Sequence, residues 1–484
     1  MQDSSPSDIV DRRGTGHDSG SKRQSAKAQR VWGVVMSYRR VKCLLLACSG
    51  VGALLAATVD ANAGGFALRE QSAYGQGSSF AGVAAGGSLS SMFWNPATMT
   101  QVPGIQTEIV ASGIMPYTAH TPTAGSTLAG APFFFGGTGD SGDDALVPSG
   151  YASWQINPSL WLGLSVNSPF GLSVSFPDRW AGRDFAAGST SLKTYNATPS
   201  IAYQINNWIS IGAGIQIEYA KADLTKGLGF TLGNQFNLNG SGWGYGLTAG
   251  VTLTPTPTTT IGLGYRSAIN QEINGAISLP AGVGFNPPFS TPGAASTTLN
   301  LPDVVSLGLR QRLDQQWTLL GTVEWTNWSR IGTSTVVQSN GAPALVGLNN
   351  VTLPFQFSDG WFYSLGAEYQ WNDKLAVRAG VGYEKSPITD QVRIPLLPDN
   401  NRTWLSAGVT YQFTKALAFD FAYSHLFVKS TSINLTSAAN PWFIPGATAA
   451  YAGDVAAHAD IISVALKYRW DDAAPAPTRQ LYTK

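Results

Sequence analysis

The chain has 484 residues, enough for a large core, yet only 12% of them are charged, about half the share that is usual in soluble proteins. Glycine (54 residues) and aromatic residues (11%) are abundant, and the mean hydropathy is close to zero at -0.01. Such a composition suits a wall with lipid on one face and water or ligand on the other. The net charge of +1, with scattered Lys and Arg, gives no reason to expect nucleic acid as a partner.

The N-terminal part of the chain predicts an export signal. A basic Arg-Arg-Val-Lys segment precedes a short apolar run, and a small-x-small site ends at Ala63. These features together are typical of a secretory signal peptide that is cleaved after that alanine. We therefore predict a signal peptide over residues 36–63, and a disordered stretch over residues 1–35, upstream of a translation start at Met36.

The exported chain has no helix signal for a membrane, but it has a strong strand signal. Beyond Ala63 no apolar run approaches the roughly 18 residues that a spanning helix requires. Instead, in Trp208–Tyr219 the residues Ile209, Ile211 and Ile215 alternate with small or polar residues. A strand with lipid outside and a polar lumen inside needs this pattern. Residues 375–384 and 405–413 repeat it.

Segments of this kind number about fourteen, and bacterial outer-membrane barrels have an even number of strands. Their approximate bounds are 105–113, 147–157, 160–168, 191–205, 208–220, 242–254, 258–276, 300–313, 316–328, 359–372, 374–385, 401–414, 416–429 and 460–470. Tight links alternate with long links at 114–146, 169–190, 221–241, 277–299, 329–358, 386–400 and 430–459. This layout predicts a transmembrane β-barrel over residues 105–470, followed by a polar C-terminal tail over 471–484. A large soluble β-sandwich is the alternative, but it has no reason to alternate its link lengths.

The segment 64–104 is different, because it is rich in Gly, Ser and Ala and has neither a helix period nor much strand alternation. Alone this segment could bury very little apolar surface, so it must pack inside another part of the protein to be stable. We predict an all-β fold: a fourteen-stranded antiparallel transmembrane β-barrel with this segment as an N-terminal hatch, or plug, inside the lumen. Within it, Asn95-Pro96-Ala97 suits a fixed corner, since an X-Pro bond is restricted and Asn readily caps a turn.

The hatch and several later segments resemble the FadL family of outer-membrane long-chain fatty acid and hydrocarbon transporters. In the hatch the resemblance is carried by the segments Gly65–Ala73, Gly75–Gly77, Phe80–Gly82 and Phe93–Met99. Further segments agree in the same order: Ser168–Leu172 with Trp180–Arg183, Pro199–Tyr203, Trp325–Ser329 and Arg378–Pro387. Two features depart from the family pattern, an enlarged loop at Leu396-Leu397-Pro398 and the tail after Trp470.

The resemblance implies a hydrophobic capture site among the extracellular loops, a hatch in the lumen, and lateral release through a gap in the wall into the outer leaflet. It also implies a monomer in the outer membrane of a Gram-negative bacterium, without a cofactor. The expected partners are a long-chain fatty acid or other hydrophobic small molecule, membrane lipid, lipopolysaccharide and the barrel-assembly machinery.

We expect the capture site in the long link 169–190, where apolar side chains lie near two arginines that could meet a carboxylate. The candidates are Phe170, Leu172, Phe176, Arg179, Trp180, Arg183 and Phe185. The other interpretation is that the aromatic side chains pack the loop and the arginines are solvated. For the hatch and its gating the candidates are Gly64, Gly65, Phe66, Leu68, Asn95, Pro96 and Ala97. Of these, we expect Phe66 to contact ligand and Asn95 and Pro96 to be structural.

The two arginines favour a fatty acid as the substrate, and aromatic or alkane hydrocarbons remain the alternative. Charged residues on the predicted lumen face are expected to pair with the hatch and with one another. They are Arg310, Glu324, Arg378, Glu384, Lys467 and Arg469.

Other classes of membrane barrel fit the sequence less well. A barrel lipase or protease needs a nucleophile and a base, and among the four histidines only His458 with Asp460 suggests a catalytic pair. A segment of glycine and aspartate at 136–144 misses the repeat spacing of glycine-rich calcium sites, which favours a flexible loop. We therefore predict no catalytic residue and no metal site. A hatch also argues against a diffusion porin and against a purely structural barrel.

Overall fold

The computed structural model describes residues 64–128, 131–132, 136–177, 179–183, 185–186, 188–227, 235–278, 293–338, 350–437, 439–442 and 449–471. The predicted disordered stretch and signal peptide, and the tail after residue 471, lie outside the described residues. No helix in these ranges is both long and apolar enough to span a membrane.

Strands make up most of the described chain. They are β1 Ile105–Pro122, β2 Thr127–Leu128, β3 Ala131–Pro132, β4 Ala145–Asn157, β5 Leu160–Asn167, β6 Gly171–Phe176, β7 Gly188–Gln204, β8 Ile209–Gly227, β9 Gln235–Thr256, β10 Thr259–Arg266, β11 Ile269–Ser278, β12 Gly293–Leu301, β13 Val304–Arg312, β14 Trp317–Thr326, β15 Thr333–Gln338, β16 Asn350–Pro354, β17 Gly360–Gln370, β18 Leu375–Lys385, β19 Arg402–Gln412, β20 Leu417–Val428, β21 Thr431–Leu435 and β22 Ala449–Arg469. The helices are α1 Ala73–Gln76 and the 3₁₀ turns η1 Val83–Ala85, η2 Leu89–Phe93, η3 Pro96–Gln101 and η4 Trp328–Ile331.

Fourteen of the described strands form a closed antiparallel barrel, as the sequence predicted. The order around the wall is β1, β4, β5, β7, β8, β9, β10, β13, β14, β17, β18, β19, β20 and β22. Strand β22 then pairs with β1, from Arg469 opposite Gln106 to Gly453 opposite Pro122. Closure leaves every one of the fourteen strands with a neighbour on both sides, which is the condition for a sheet to lie in lipid.

The two faces of the wall separate apolar from polar side chains. On β8, Ile211 and Ile215 are 42% and 54% exposed on the outer surface, whereas Gln216 and Glu218 are buried toward the lumen. The alternation that predicted the strands therefore assigns their faces correctly.

Several strand bounds differ from the prediction. The predicted strand 258–276 is divided into β10 and β11, and the predicted strand 300–313 is divided at Pro302-Asp303. A proline cannot donate to a ladder, which explains the second break. The predicted long links also contain strands: β1 continues to Pro122, and β6 lies within 169–190. In β6 apolar and polar residues do alternate over 172–176, but the segment lies in a predicted loop and was missed. The end of β1 has no such alternation, although its ladder with β22 continues to Pro122.

The N-terminal segment, residues 64–103, lies inside the barrel and is buried at nearly every position. It is fixed to different sides of the wall. The Ser79 hydroxyl hydrogen-bonds Ser406 (2.8 Å), the Gly82 N–H donates to the Gly321 carbonyl (3.1 Å), and Asn95 Nδ2 donates to the Val251 carbonyl (3.0 Å).

Candidate functional site

The end of the barrel that carries the long loops encloses an apolar pocket, the outer pocket, with about 960 Å³ of empty space including its mouth. Asp223 is the only charged residue among the described residues that line it. The apolar lining consists of Phe66, Leu172, Leu192, Ala222, Leu224, Leu238, Ile273, Ala295, Leu299, Leu353, Phe355, Ile394, Leu396, Leu397 and Trp442. The enlarged loop noted in the sequence thus contributes two leucines to this pocket.

Phe66 lines the outer pocket and packs against two aromatic rings. Its ring is 2% exposed and lies edge-on to Trp328 (4.8 Å between ring centroids) and to Phe170 (6.0 Å). The preceding Gly65 has φ of +63°, and a Cβ there would lie 2.9 Å from the Trp328 ring. Glycine is therefore required to bring Phe66 against these two rings.

Next to Phe66 the N-terminal segment pairs with an interrupted part of the wall. The Leu68 N–H donates to the Pro169 carbonyl (2.8 Å), and the Gly171 N–H donates to the Phe66 carbonyl (2.9 Å). The described ladder between β4 and β5 stops at Gly150 opposite Val166, while residues 145–149 of β4 pair with β1. At this break the N-terminal segment supplies the partner that the wall lacks.

A second, more polar pocket, the inner pocket, lies beside the N-terminal segment and has about 680 Å³ of empty space. Phe170 and Trp328, the rings that contact Phe66, are in its lining, as are Pro169, Gly64 and Leu68. Its charged lining residues are Arg69, Arg266, Glu324 and Glu384.

The two arginines of the inner pocket differ in their partners. Arg69 forms ion pairs with Glu324 (2.6 Å) and Glu384 (3.6 Å). Arg266 is buried, donates to the Phe93 carbonyl (3.1 Å) and to Gln216, and lies 4.3 Å from the centre of the Phe93 ring. Within the described ranges Arg266 forms no ion pair with a carboxylate.

The predicted capture residues fall in different places. Leu172 lines the outer pocket and Phe170 lines the inner one. The other five line neither pocket. Phe176 and Trp180 stack on each other (5.3 Å), and Trp180 is fully buried with its Nε1 donating to the Ala186 carbonyl (2.8 Å). In the same loop Arg183 is buried, Phe185 is half-buried and Arg179 is exposed.

Farther along the N-terminal segment, ion pairs of the wall surround Tyr74. The alternation predicted that inward charges of the wall would pair in this way. We call this cluster the charged anchor: Tyr74, Arg310, Glu368, Arg378, Asp420 and Lys467. The Tyr74 hydroxyl donates to Glu368 (2.6 Å), and the Arg378 guanidinium lies 4.0 Å from the Tyr74 ring centre. Ion pairs join Arg378 to Glu368 (3.0 Å) and Asp420 (3.5 Å), Lys467 to Asp420 (2.7 Å), and Arg310 to Glu368 (3.3 Å).

Asn95 lies at the corner that the sequence predicted. Its Oδ1 accepts the Ala97 N–H (3.0 Å) at the start of η3, where Pro96 is the first residue, and its Nδ2 donates to the Ala84 carbonyl (2.7 Å). A Cβ on Gly250 of the wall would lie 1.9 Å from this Oδ1. The side chain therefore joins two turns of the N-terminal segment to the wall.

The sequence did not single out Arg266 or Trp328 as site residues. Trp328 belongs to a segment that carried the family resemblance, so its position was marked but its role was not. Arg266 ends a strand of alternating Gly and apolar residues, and a lone inward cation at that place is the signal that could have found it.

The pair that the sequence suggested, His458 with Asp460, does not form a hydrogen bond in the structure. His425, not His458, bonds Asp460 (2.8 Å), and the Tyr423 hydroxyl donates to the same carboxylate (2.6 Å). His458 instead stacks on Tyr117. Among the described residues no group of three or more His, Cys, Asp or Glu side chains could hold a metal ion.

Comparison with known proteins agrees with this architecture. The family described as "Outer membrane protein transport protein (OMPP1/FadL/TodX)" matches residues 54–470. The long-chain fatty acid transport protein of Escherichia coli K12 is 27% identical over 419 residues, which cover 76% of this chain and 89% of that protein. Outer membrane protein P1 of Haemophilus influenzae is 27% identical over 413 residues, 77% of this chain and 88% of that protein.

Solved structures show the same fold. A Pseudomonas aeruginosa FadL homologue superimposes with a TM-score of 0.75 at 23% identity, covering 84% of this chain and all of that one (100%). The Pseudomonas putida toluene transporter TodX gives a TM-score of 0.62 at 16% identity, with the same coverage of 84% and 100%. With the closed barrel and the family match over most of its length, this chain belongs to the OMPP1/FadL/TodX family of outer-membrane transport proteins, which are not enzymes.

Proposed function

We propose that this chain carries long-chain fatty acids passively across the outer membrane. The observation that carries the proposal is the succession of an apolar outer pocket, the Phe66 ring and a polar inner pocket beside a break in the wall. The E. coli relative that matches most of this chain is named a long-chain fatty acid transport protein, which supports the same substrate class.

In this proposal the outer pocket captures the acyl chain. Burial of apolar surface contributes about 25 cal/mol per Å², so a long acyl chain gains most from a lining with a single charged residue. Phe66 closes the pocket, and Gly64 to Leu68 must move for the ligand to pass. The packed aromatic side chains around Trp180 stabilise the capture loop without lining either pocket. From this loop Leu172 reaches the outer pocket and Phe170 reaches the inner one.

Arg266 is the proposed receptor for the carboxylate. The Arg266 guanidinium forms no ion pair in the described ranges, and its electrostatic partner Glu218 is itself hydrogen-bonded to Asn196 and Gln271. It can therefore gain a charge-assisted hydrogen bond from a fatty acid headgroup. Arg179 is exposed and outside both pockets, so it is less suited to this role. This assigns the carboxylate to the inner pocket and the acyl chain to the outer one.

The proposed exit is the wall break at Pro169. The N-terminal segment closes it with the two backbone hydrogen bonds of Leu68 and Gly171, each contributing about 0.5–1.5 kcal/mol. Breaking both opens a lateral path from the inner pocket into the membrane without a passage through water.

Uptake of aromatic or alkane hydrocarbons is the second candidate. No cationic side chain of the described part of the chain lines the outer pocket, which therefore suits a neutral ligand equally well. The Pseudomonas putida toluene transporter shares the fold.

The test is uptake of labelled oleate and labelled toluene by cells that lack their own transporter. We expect saturable oleate uptake that falls about tenfold or more in Arg266→Gln, since a hydrogen bond to a charged group contributes about 1.5–3 kcal/mol. Arg266→Lys restores part of it, and the exposed Arg312→Gln is the control. Toluene uptake without oleate uptake supports the second candidate, and uptake of neither contradicts both.

A further inference from the structure

Two buried carboxylates lie against the first two described residues, Gly64 and Gly65. A Cβ on Gly64 would lie 2.1 Å from Glu384 Oε1, so the backbone of this residue is in direct contact with that carboxylate. The next N–H, that of Gly65, donates to Asp399 Oδ2 at 3.1 Å. Glu384 and Asp399 are each 9% exposed. The start of the N-terminal segment therefore lies in an acidic site inside the protein.

The cations around this site do not balance its carboxylates. Arg402 bonds Asp399 and lies 3.6 Å from Glu384. Arg69 lies 3.6 Å from Glu384 and is also paired with Glu324. Among the described residues two guanidinium groups thus pair with three carboxylates. The Arg393 guanidinium beside them donates to the main-chain carbonyl of Asp399 (3.0 Å) and is paired with a carboxylate of its own, Asp390.

A fourth acid lies in the same cluster. Glu70 is 1% exposed, interacts electrostatically with Glu384 and Arg402, and its Oε2 has no hydrogen-bond partner among the described residues. Burial raises the pKa of Glu70 to about 7, so it adds partial negative charge at neutral pH. Uncompensated charge inside a protein is costly. The cluster lacks one cation.

We propose that Glu384 and Asp399 form a receptor for the α-ammonium group of Gly64, which removal of the signal peptide creates. Hydrolysis of the Ala63–Gly64 peptide bond consumes one water and leaves a carboxylate on Ala63. It also leaves an amine on Gly64, which takes up a proton. This ammonium is the cation that the cluster lacks, so the site becomes complete only in the processed chain.

The ion pair would hold the gate in place. Gly64 and Gly65 directly precede Phe66, and pinning them to Glu384 and Asp399 keeps the Phe66 ring on Trp328. Since Gly64 and Glu384 also line the inner pocket, the ammonium lies where a ligand passes. The inference goes beyond the proposed function, because the ion pair does not depend on which hydrophobic compound is carried.

The test measures the pKa of the Gly64 amine in the processed, folded protein. Competitive acetylation with acetic anhydride across a pH series, read by the mass of the N-terminal peptide, reports this pKa without any transport assay. A free α-amine has a pKa of about 7.7–8.0. We expect the wild-type amine to titrate at least about one unit higher, and Glu384→Gln and Asp399→Asn each to lower its pKa toward the free value.

The matched control is Glu368→Gln, which removes a lumen carboxylate in the charged anchor and should leave the pKa of the Gly64 amine unchanged. A wild-type pKa at or below that of a free amine overturns the inference without any variant. An equal shift in Glu368→Gln overturns it as well, and so does N-terminal sequencing that finds a first residue other than Gly64. Each result is independent of oleate or toluene uptake.

Discussion

The outer pocket and the charged anchor both contact the N-terminal segment inside the barrel. The contacts are mainly apolar at the outer pocket and mainly ionic at the anchor. At the outer pocket one aromatic ring, Phe66, borders a space in whose described lining Asp223 is the one charged residue. At the anchor, Tyr74 is surrounded by Arg310, Arg378 and Lys467, which are in turn neutralised by carboxylates. The first arrangement leaves room for a ligand, and the second fills the lumen with mutual charge pairs.

This difference separates a part of the segment that can move from a part that should stay. Aromatic contacts and two backbone hydrogen bonds are individually weak, so the region around Phe66 can open at modest cost. A buried network of ion pairs is costly to disrupt, because removal of one member leaves the others uncompensated. This difference is consistent with the proposed exit at Pro169 and with a route that avoids the anchor.

The largest expected effect is the loss of an anchor cation. Arg378→Met removes a side chain that is 1% exposed and leaves Glu368 and Asp420 without their shared partner. We expect the free energy of unfolding to fall by about 3–5 kcal/mol. Urea unfolding of the barrel in lipid vesicles measures this.

The control for that prediction is Lys221→Met. The Lys221–Asp223 pair (3.3 Å) is on the surface, with side chains 55% and 43% exposed, and such pairs contribute about 0–1 kcal/mol. If Arg378→Met costs no more than this control, the anchor does not hold the segment.

The next effect concerns the gate. Phe66→Ala removes two aromatic pairs, each worth about 0.5–1.5 kcal/mol. The bonded amides of Leu68 and Gly171 should then exchange their hydrogens roughly five- to hundredfold faster.

The amide of Gly82, which donates to the Gly321 carbonyl, is the internal control for that experiment. It lies farther along the N-terminal segment, and its exchange should not change. Equal acceleration at Gly82 would mean that the whole segment moves as one body, against the division proposed above.

Much of the barrel could be predicted from the sequence, because lipid and lumen impose opposite chemistry on alternate residues. Ile211 and Gln216 were assigned to the correct faces for this reason. Where the wall has no such contrast the signal disappears. The extension of β1 to Pro122 could not be found by alternation. Strand β6 does alternate over residues 172–176, but its place among the apolar candidates of a predicted loop concealed it.

The site was harder to predict, because a pocket joins residues that are distant in sequence. The loop aromatics Phe176 and Trp180 suggested ligand contact, but their spacing could not reveal that they stack on each other. The lumen charges Arg310 and Arg378 were predicted to pair, because buried inward charges need partners. Their common partner, Glu368, could not be identified, because it depends on the register between neighbouring strands, which the sequence alone does not give.

A smaller effect is expected from narrowing the outer pocket. Ala222→Phe, on the lumen face of β8, places a ring among the pocket lining. We expect oleate binding to weaken about tenfold, which corresponds to about 1.4 kcal/mol. Ala213→Phe, on the exposed face of the same strand, should leave binding unchanged. Equal binding by both variants would show that ligand does not occupy this pocket.

The smallest effect concerns the turn between β13 and β14, far from both regions. Asp314 Oδ1 accepts the N–H groups of Gln316 and Trp317, each at 2.7 Å. These bonds, that of Trp317 first, hold the pKa of Asp314 below its usual range. Since the folded pKa is lowered, the stabilisation is present above the unfolded pKa and is lost as the pH falls through the folded one.

An asparagine should replace this aspartate without loss at neutral pH, because equivalent turns already use one. Asn206 Oδ1 accepts the N–H groups of Trp208 and Ile209, both at 2.9 Å. We expect Asp314→Asn to keep the wild-type urea midpoint at about pH 7 and to exceed it slightly in acid, once the pH falls below the folded pKa and the wild-type carboxyl takes up a proton. Identical pH dependence of the two midpoints would mean that the turn is fixed by the strand ladder alone. In that case the short turns, unlike the anchor and the gate, contribute connection and no stability of their own.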